Sequence, residues 1–184
     1  NRLPMQICYS GPTSALYSIE LMYLKMISSA RERIYISTPY FVPSEGTMSA
    51  LNAAIKSGVD VRIMFPAKYD HPIVQHASMT YLGDLIECGA RVFMYNKKAF
   101  NHSKAMVCDG RHFTLGTANF DVRSFFFNYE VNAVVYDEYY SSKMEGFFQE
   151  DMDQAEEMTM EKYINRPRST FLKVSFFRVF SLLF

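Results

Sequence analysis

NHSKAMVCDGRHFTLGTANFDVRSFFFNYE, residues Asn101 to Glu130, decides how the rest of the chain is read. SKAMVCD and RHFTLGT are β-like runs joined at Asp109-Gly110-Arg111, which reads as a hairpin turn. A third run, YEVNAVVYD, follows closely. Set into this apolar, aromatic-rich region is a polar series: His102, Lys104, Asp109, Gly116, Thr117, Asn119 and Glu130. Residues two apart on a strand share a face, so His102 and Lys104 point the same way, roughly 7 Å apart along the chain. An imidazole and an ammonium on one face suit a phosphate, although a lone H-x-K also fits a solvated strand edge.

Upstream, the pattern changes from hairpins to alternating elements. RLPMQICYSG reads as an entering strand closed at Gly11-Pro12. Thr13 or Ser14 is then expected to cap a helix carrying Ala15, Ile19, Met22, Met26 and Ile27 to about Ala30. RIYISTPYF is a strand that Pro39 and Pro43 end, and Ser44-x-x-Thr47 starts a helix stopped by Gly58. VDVRIMF is the next strand, followed by a helix from about Ile73 to Glu87 closed by Gly89, and then by the strand ARVFMY. Three strands alternating with two helices call for parallel pairing with right-handed crossovers. The expected fold is α/β, a mixed, mainly parallel central sheet flanked by helices on both faces.

Downstream, Met144, Phe147, Phe148, Met152 and Ala155 fall on one helical face, predicting a single amphipathic helix from Asp137 to about Met160. Residues 137–161 hold nine acids against Lys143 alone, whereas residues 162–184 hold five bases and no acid. The domain is expected over 1–165, with a basic, apolar tail over 166–184. That tail is too short to span a bilayer. It reads either as a docked helix or as an interfacial membrane contact.

The chain has 184 residues, enough for one substantial core. With 21% charged residues, 49% hydrophobic residues and zero net charge, composition points neither to disorder nor to a polyanion-binding surface. Cys8, Cys88 and Cys108 lack paired spacing and read as reduced packing residues. His71, His76 and His112 lack carboxylate or thiol partners at ligand spacing, so no metal and no cofactor is expected. The sequence shows no signal-peptide pattern and no run of roughly 18 apolar residues, so neither an export signal nor a transmembrane helix is expected within it. Beginning at Asn1 without an initiating Met, the chain is expected to be a fragment of something longer.

The spacing of the polar series resembles the signature of the phospholipase D superfamily: H-x-K, four residues, D, six residues, then G-[ST or G]-x-N. His102, Lys104, Asp109, Gly116, Thr117 and Asn119 match it throughout, with Thr117 where Ser is usual. Asn128-Tyr129-Glu130 stands where the family supplies a Glu to orient its His. STPYFVP from Ser37, ALNAAIKSGVDVRIM from Ala50 and GTANFDVRSFFFNYEVN from Gly116 are similar to one branch, the carboxy-terminal half of bacterial cardiolipin synthases, over nearly the whole chain.

The resemblance implies catalytic roles for His102, Lys104, Asp109 and Glu130, and phosphate binding by Lys104, Thr117 and Asn119. Glu130 would hold the His102 ring and make it a better base or nucleophile. Asp109, just before Gly110, reads more simply as a turn-former. Tyr40, and Phe125 to Phe127, fit either packing or lipid contact. A two-lobe enzyme is implied, passing through a phosphohistidine and transferring a phosphatidyl group between two phosphatidylglycerols with release of glycerol. The implied partners are phosphatidylglycerol, a second signature-bearing lobe and the membrane surface, on the cytoplasmic side of a bacterial cell membrane, with no nucleic acid. A homodimeric phosphodiesterase or nuclease is the alternative.

Overall fold

The computed structural model describes residues 2–68, 70–95 and 101–166. The 167–184 tail, including its docking or membrane contact, lies outside the described residues. β1 (Met5–Ser10) leads to a turn in which the Gly11 amide donates to Ser14 Oγ at 2.9 Å. With that hydroxyl engaged, α1 (Ser18–Ser29) begins later than expected, and Tyr17 at its N-cap makes no side-chain cap bond. Its Ile19, Met22, Met26 and Ile27 are buried as the helical spacing predicts, joined by Tyr23, while Ala15 falls before the helix.

β2 (Arg33–Ser37), β3 (Phe41–Val42), α2 (Glu45–Lys56), β4 (Asp60–Pro66), α3 (Pro72–Cys88) and β5 (Arg91–Tyr95) form the alternating half. Ser44 caps α2 by accepting from the Thr47 amide. Gly89 ends α3 at φ 117°, a left-handed conformation that glycine adopts without a Cβ penalty. The second half contains β6 (Ala105–Cys108), β7 (His112–Gly116), β8 (Phe120–Asp121), α4 (Val122–Phe126) and β9 (Glu130–Val135). It closes with α5 (Glu138–Asp153), β10 (Glu156–Glu157) and α6 (Met160–Ile164). The long terminal helix thus stops at Asp153, because Glu156 and Glu157 pair with Met94 and Phe93 at the edge of β5.

The main sheet runs in the order β1-β9-β7-β6-β2-β4-β5-β10. It is mixed, but among the described residues only β2–β4 and β4–β5 pair in parallel. The expected mainly parallel balance is therefore reversed. Within this sheet, parallel pairing is confined to the segments joined by helices, while the closely joined runs β6 and β7, and β7 with β9, pair antiparallel, as short connections require.

Helices do cover both faces. α1, α2 and α3 bury Ile34, Ile36, Ile63 and Met106 on one side, while α5 places Phe148 and Met152 against Tyr35, Val107 and Phe113 on the other. The small β3–β8 pair, with Phe41 and Phe120 stacked at 5.2 Å, ties the loop after β2 to the loop after β7.

Candidate active site

β2 and β6 run antiparallel with Ser37 opposite Ala105, so the start of β6 meets the carboxyl end of β2. The end of β7 and the start of β9 reach the same edge, through Gly116 opposite Asn132. His102, Lys104, Thr117, Asn119 and Glu130 are thereby collected at the carboxyl ends of the parallel strands, where open α/β sheets commonly bind ligands.

Lys104 Nζ lies 3.2 Å from His102 Nε2 and donates to the His102 carbonyl at 3.1 Å. An ammonium can only donate, so this geometry suits the unprotonated Nε2 of a neutral imidazole. Partial burial and then the Lys104 charge hold the His102 pKa below its ordinary 6.5, opposed by the Asp70 carboxylate. Burial also lowers the Lys104 pKa, against the charges of Glu130, Asp121 and Asp70.

Glu130 does not hydrogen-bond His102, the partner expected for it. Its carboxylate accepts from Thr117 Oγ1, from Ser124 Oγ at 2.9 Å and from Asn128 Nδ2 at 3.3 Å. The reason is topological: β7 lies between β6 and β9, so their backbones are about 9–10 Å apart. Thr117, at the end of β7, fills the gap. Its hydroxyl proton goes to Glu130, while its oxygen accepts from the Val131 amide at 3.0 Å.

Asp109 stands apart, about five residues of strand away from Lys104 at the opposite end of β6. At φ 55° in the turn, it accepts from the amides of Arg31, Glu32 and Arg33 at 2.8–2.9 Å. Burial raises its pKa, but these three donors prevail and hold the carboxyl below its usual range. Its contacts fasten the β6–β7 turn to the start of β2. Gly116 is constrained by the sheet, since a Cβ there would collide with the Val131 carbonyl and with Asn132.

Several residues without a role in the sequence signature complete the arrangement. Ser124, fully buried, accepts from the Asn119 amide at 3.0 Å while donating to Glu130. Asn132 accepts from the Ala118 amide and donates to Thr114 and Tyr23, whose hydroxyl donates to the Ala118 carbonyl. The loop bearing Thr117 and Asn119 is therefore held by buried polar groups on β9, α1 and α4.

Asp121 accepts from the Ser124 amide as the cap of α4, and burial raises its carboxyl pKa. Tyr40 donates to Asp70 at 2.7 Å, and its ring lies edge-on to His102 at 6.5 Å. The one available signal for Asp121 and Ser124 was their position two and five residues beyond Asn119. Nothing local marked Asp70. Of the phenylalanines, Phe125 is core and Phe127 is exposed. No group of three metal-ligating side chains occurs among the described residues.

Residues 23–152 match the family described as "Cardiolipin synthase, PLD-like domain". The chain is 44% identical over 177 residues to the major cardiolipin synthase ClsA of Bacillus subtilis and 41% identical over 178 residues to cardiolipin synthase 1 of Staphylococcus aureus. These alignments cover 96% and 97% of this chain but 36% of either relative, so the chain spans little over a third of their length.

Among solved structures, a phosphatidylserine synthase from Haemophilus influenzae superposes with a TM-score of 0.78 at 14% identity, over 100% of this chain and 48% of that one. The phospholipase D family member Nuc from Salmonella typhimurium superposes with a TM-score of 0.72 at 23% identity, over 86% of this chain and 99% of that one. At these identities the superpositions speak to the fold. Sequence match and fold agree, and the chain belongs to the cardiolipin synthase, PLD-like domain family.

Proposed function

We propose that the chain is one lobe of a two-lobe phosphatidyltransferase that joins two phosphatidylglycerols into cardiolipin and releases glycerol. The observation carrying this reading is the grouping of His102, Lys104, Asn119 and Glu130 at one sheet edge in a chain 41–44% identical to cardiolipin synthases. Lys104 and Asn119 supply donors for the non-bridging phosphate oxygens, where charge must be stabilised in the transition state.

In this scheme a histidine of the second lobe attacks phosphorus. A P–N bond forms, the P–O bond to glycerol breaks, and protonated His102 gives the leaving oxygen its proton. The hydroxyl of a second phosphatidylglycerol then forms a new P–O bond. The P–N electron pair returns to the nucleophilic imidazole, and neutral His102 accepts the hydroxyl proton. Asp109 and Glu130 act indirectly, the first through the β6–β7 turn and the second through Thr117, Ser124 and its charge on Lys104.

An uncovered apolar face beside the site supports a second, signature-bearing lobe as partner, either from the same polypeptide or as a second copy. Ile7, Tyr9, Leu115 and Val131 share one side of β1, β9 and β7, and all four are exposed. No helix among the described residues is long and apolar enough to cross a membrane. Action at the cytoplasmic face of a bacterial cell membrane is part of this proposal and rests on the relatives alone.

The test is incubation of the chain, joined to its second lobe, with phosphatidylglycerol in mixed micelles. Cardiolipin and glycerol are expected in equal amounts, and His102→Ala is expected to lose roughly 10²–10⁴-fold in rate. Full activity in that variant would overturn the assignment. The match to nearly all of the Salmonella protein supports a second reading, a homodimeric phosphodiesterase or nuclease. Zero net charge weighs against nucleic acid, and DNA cleavage by the isolated chain would favour this alternative.

A further inference from the structure

Beside His102 lies a cleft of about 360 Å³, lined by Tyr40, His71, Asn119, Asp121, Arg123 and Asn128, with Val74 the one aliphatic contributor among the described lining residues. Its two walls come from different parts of the chain: Tyr40 from the loop after β2, and Asn119 with Asp121 from the loop after β7. The parallel pairing of Phe41 with Phe120 and of Val42 with Asp121 holds these walls together. Its volume falls within the range of roughly 300–1,000 Å³ common for small-ligand sites.

The lining indicates the ligand chemistry. Acyl chains would desolvate Asn119, Asp121 and Asn128 without satisfying them. A phosphate seated here would lie against the carboxyl of Asp121, which is almost wholly buried. Hydroxyl groups both donate and accept, and so suit a surface that mixes carboxyl and carboxamide oxygens with imidazole and guanidinium donors. Tyr40, which lines the cleft, sets its ring edge-on to the His102 imidazole and tilted against that of His71.

We propose, on the basis of the phosphatidyl-transfer reading above, that this cleft is the acceptor subsite, taking a vicinal-diol headgroup such as the terminal glycerol of phosphatidylglycerol. One hydroxyl is then delivered to the phosphate beside His102 while its neighbour is held by the cleft. Arg123 and His71, on opposite walls, select the diol from water and simple alcohols. His71 makes no cap bond to α3, so replacing it leaves that helix intact.

The experiment uses the chain joined to its second lobe, with phosphatidylglycerol as donor and with glycerol and 1-propanol competing as soluble acceptors. It compares wild type with His71→Phe and Arg123→Met, each checked by thermal unfolding. The product ratio of diol to mono-ol transfer is expected to fall about tenfold, the loss of roughly one hydrogen bond's worth of discrimination, while donor cleavage persists as hydrolysis. An unchanged ratio in both folded variants would overturn the proposal. So would an equal loss of transfer to both acceptors together with loss of donor cleavage, which would assign the cleft to the donor. Wild-type protein that cleaves no phosphatidylglycerol would instead remove the parent reading.

Discussion

Lys104 Nζ lies 3.2 Å from His102 Nε2, so the two basic positions of the H-x-K spacing form one electrostatic unit. The imidazole is held below 6.5 by burial and by Lys104, and is pulled back upward by Asp70. An NMR titration of the His102 ring is expected to give a midpoint under 6.5. Lys104→Met should raise it by removing a positive neighbour. Asp70→Asn should lower it further by removing a negative one. A midpoint that ignores both substitutions would contradict this coupling.

Glu130 acts on Lys104 through charge and on the Thr117–Asn119 loop through Thr117 and Ser124. Glu130→Gln is expected to lower the Lys104 pKa, a shift to lower pH readable by NMR titration of the Lys104 ammonium. His102 makes no hydrogen bond to this carboxylate, so its own titration midpoint should move much less. Equal movement of both midpoints would indicate direct contact of the carboxylate with the imidazole.

Ser124 joins Asn119 to Glu130 from a fully buried position. Ser124→Ala leaves the Asn119 amide without its acceptor and removes one donor from Glu130, at an expected cost of about 1–3 kcal/mol in denaturant unfolding. A fall in kcat with little change in KM would mark it as a positioning residue. Ser124→Thr tests whether a hydroxyl alone restores the loop.

Asp109 is expected to matter for stability more than for chemistry. Asp109→Ala leaves the amides of Arg31, Glu32 and Arg33 without their acceptor, and about 2–3 kcal/mol should be lost. Its folded pKa lies below the ordinary 3.8, so its ionised form stabilises the fold above that pH. That stability disappears as pH falls through the lower, folded value. Asp109→Asn should therefore flatten the fall of Tm with acid below about pH 4, a difference readable by calorimetry.

Gly116→Ala places a methyl group against the Val131 carbonyl and Asn132, at the pairing that positions Thr117. The strands must separate to admit it. The expected result is a lowered Tm together with faster amide exchange at Thr117 and Val131. Unaltered exchange there would show that the sheet absorbs the methyl group elsewhere.

The alternating helices and strands were legible from hydrophobic period and from Gly and Pro punctuation, because those signals are local. The Ser44 cap and the Gly89 stop fall where their residue types predict. The start of α1 did not, because Ser14 turns back to the Gly11 amide. The end of α5 did not either, because β10 answers to the edge of β5, distant in sequence.

By itself, the spacing from His102 to Asn119 determined the family resemblance and the chemical types at the site, because side-chain identity and short-range register are written along the chain. Tertiary structure alone decided what each group touches. Sheet order placed β7 between β6 and β9, which gave Glu130 to Thr117 and Ser124 and left His102 beside Lys104. The β3–β8 pair brought Tyr40 to the same cleft as Asn119 and Asp121. Such contacts join residues some 80 positions apart, and no local pattern of hydrophobicity, capping or turn chemistry encodes a partner at that distance.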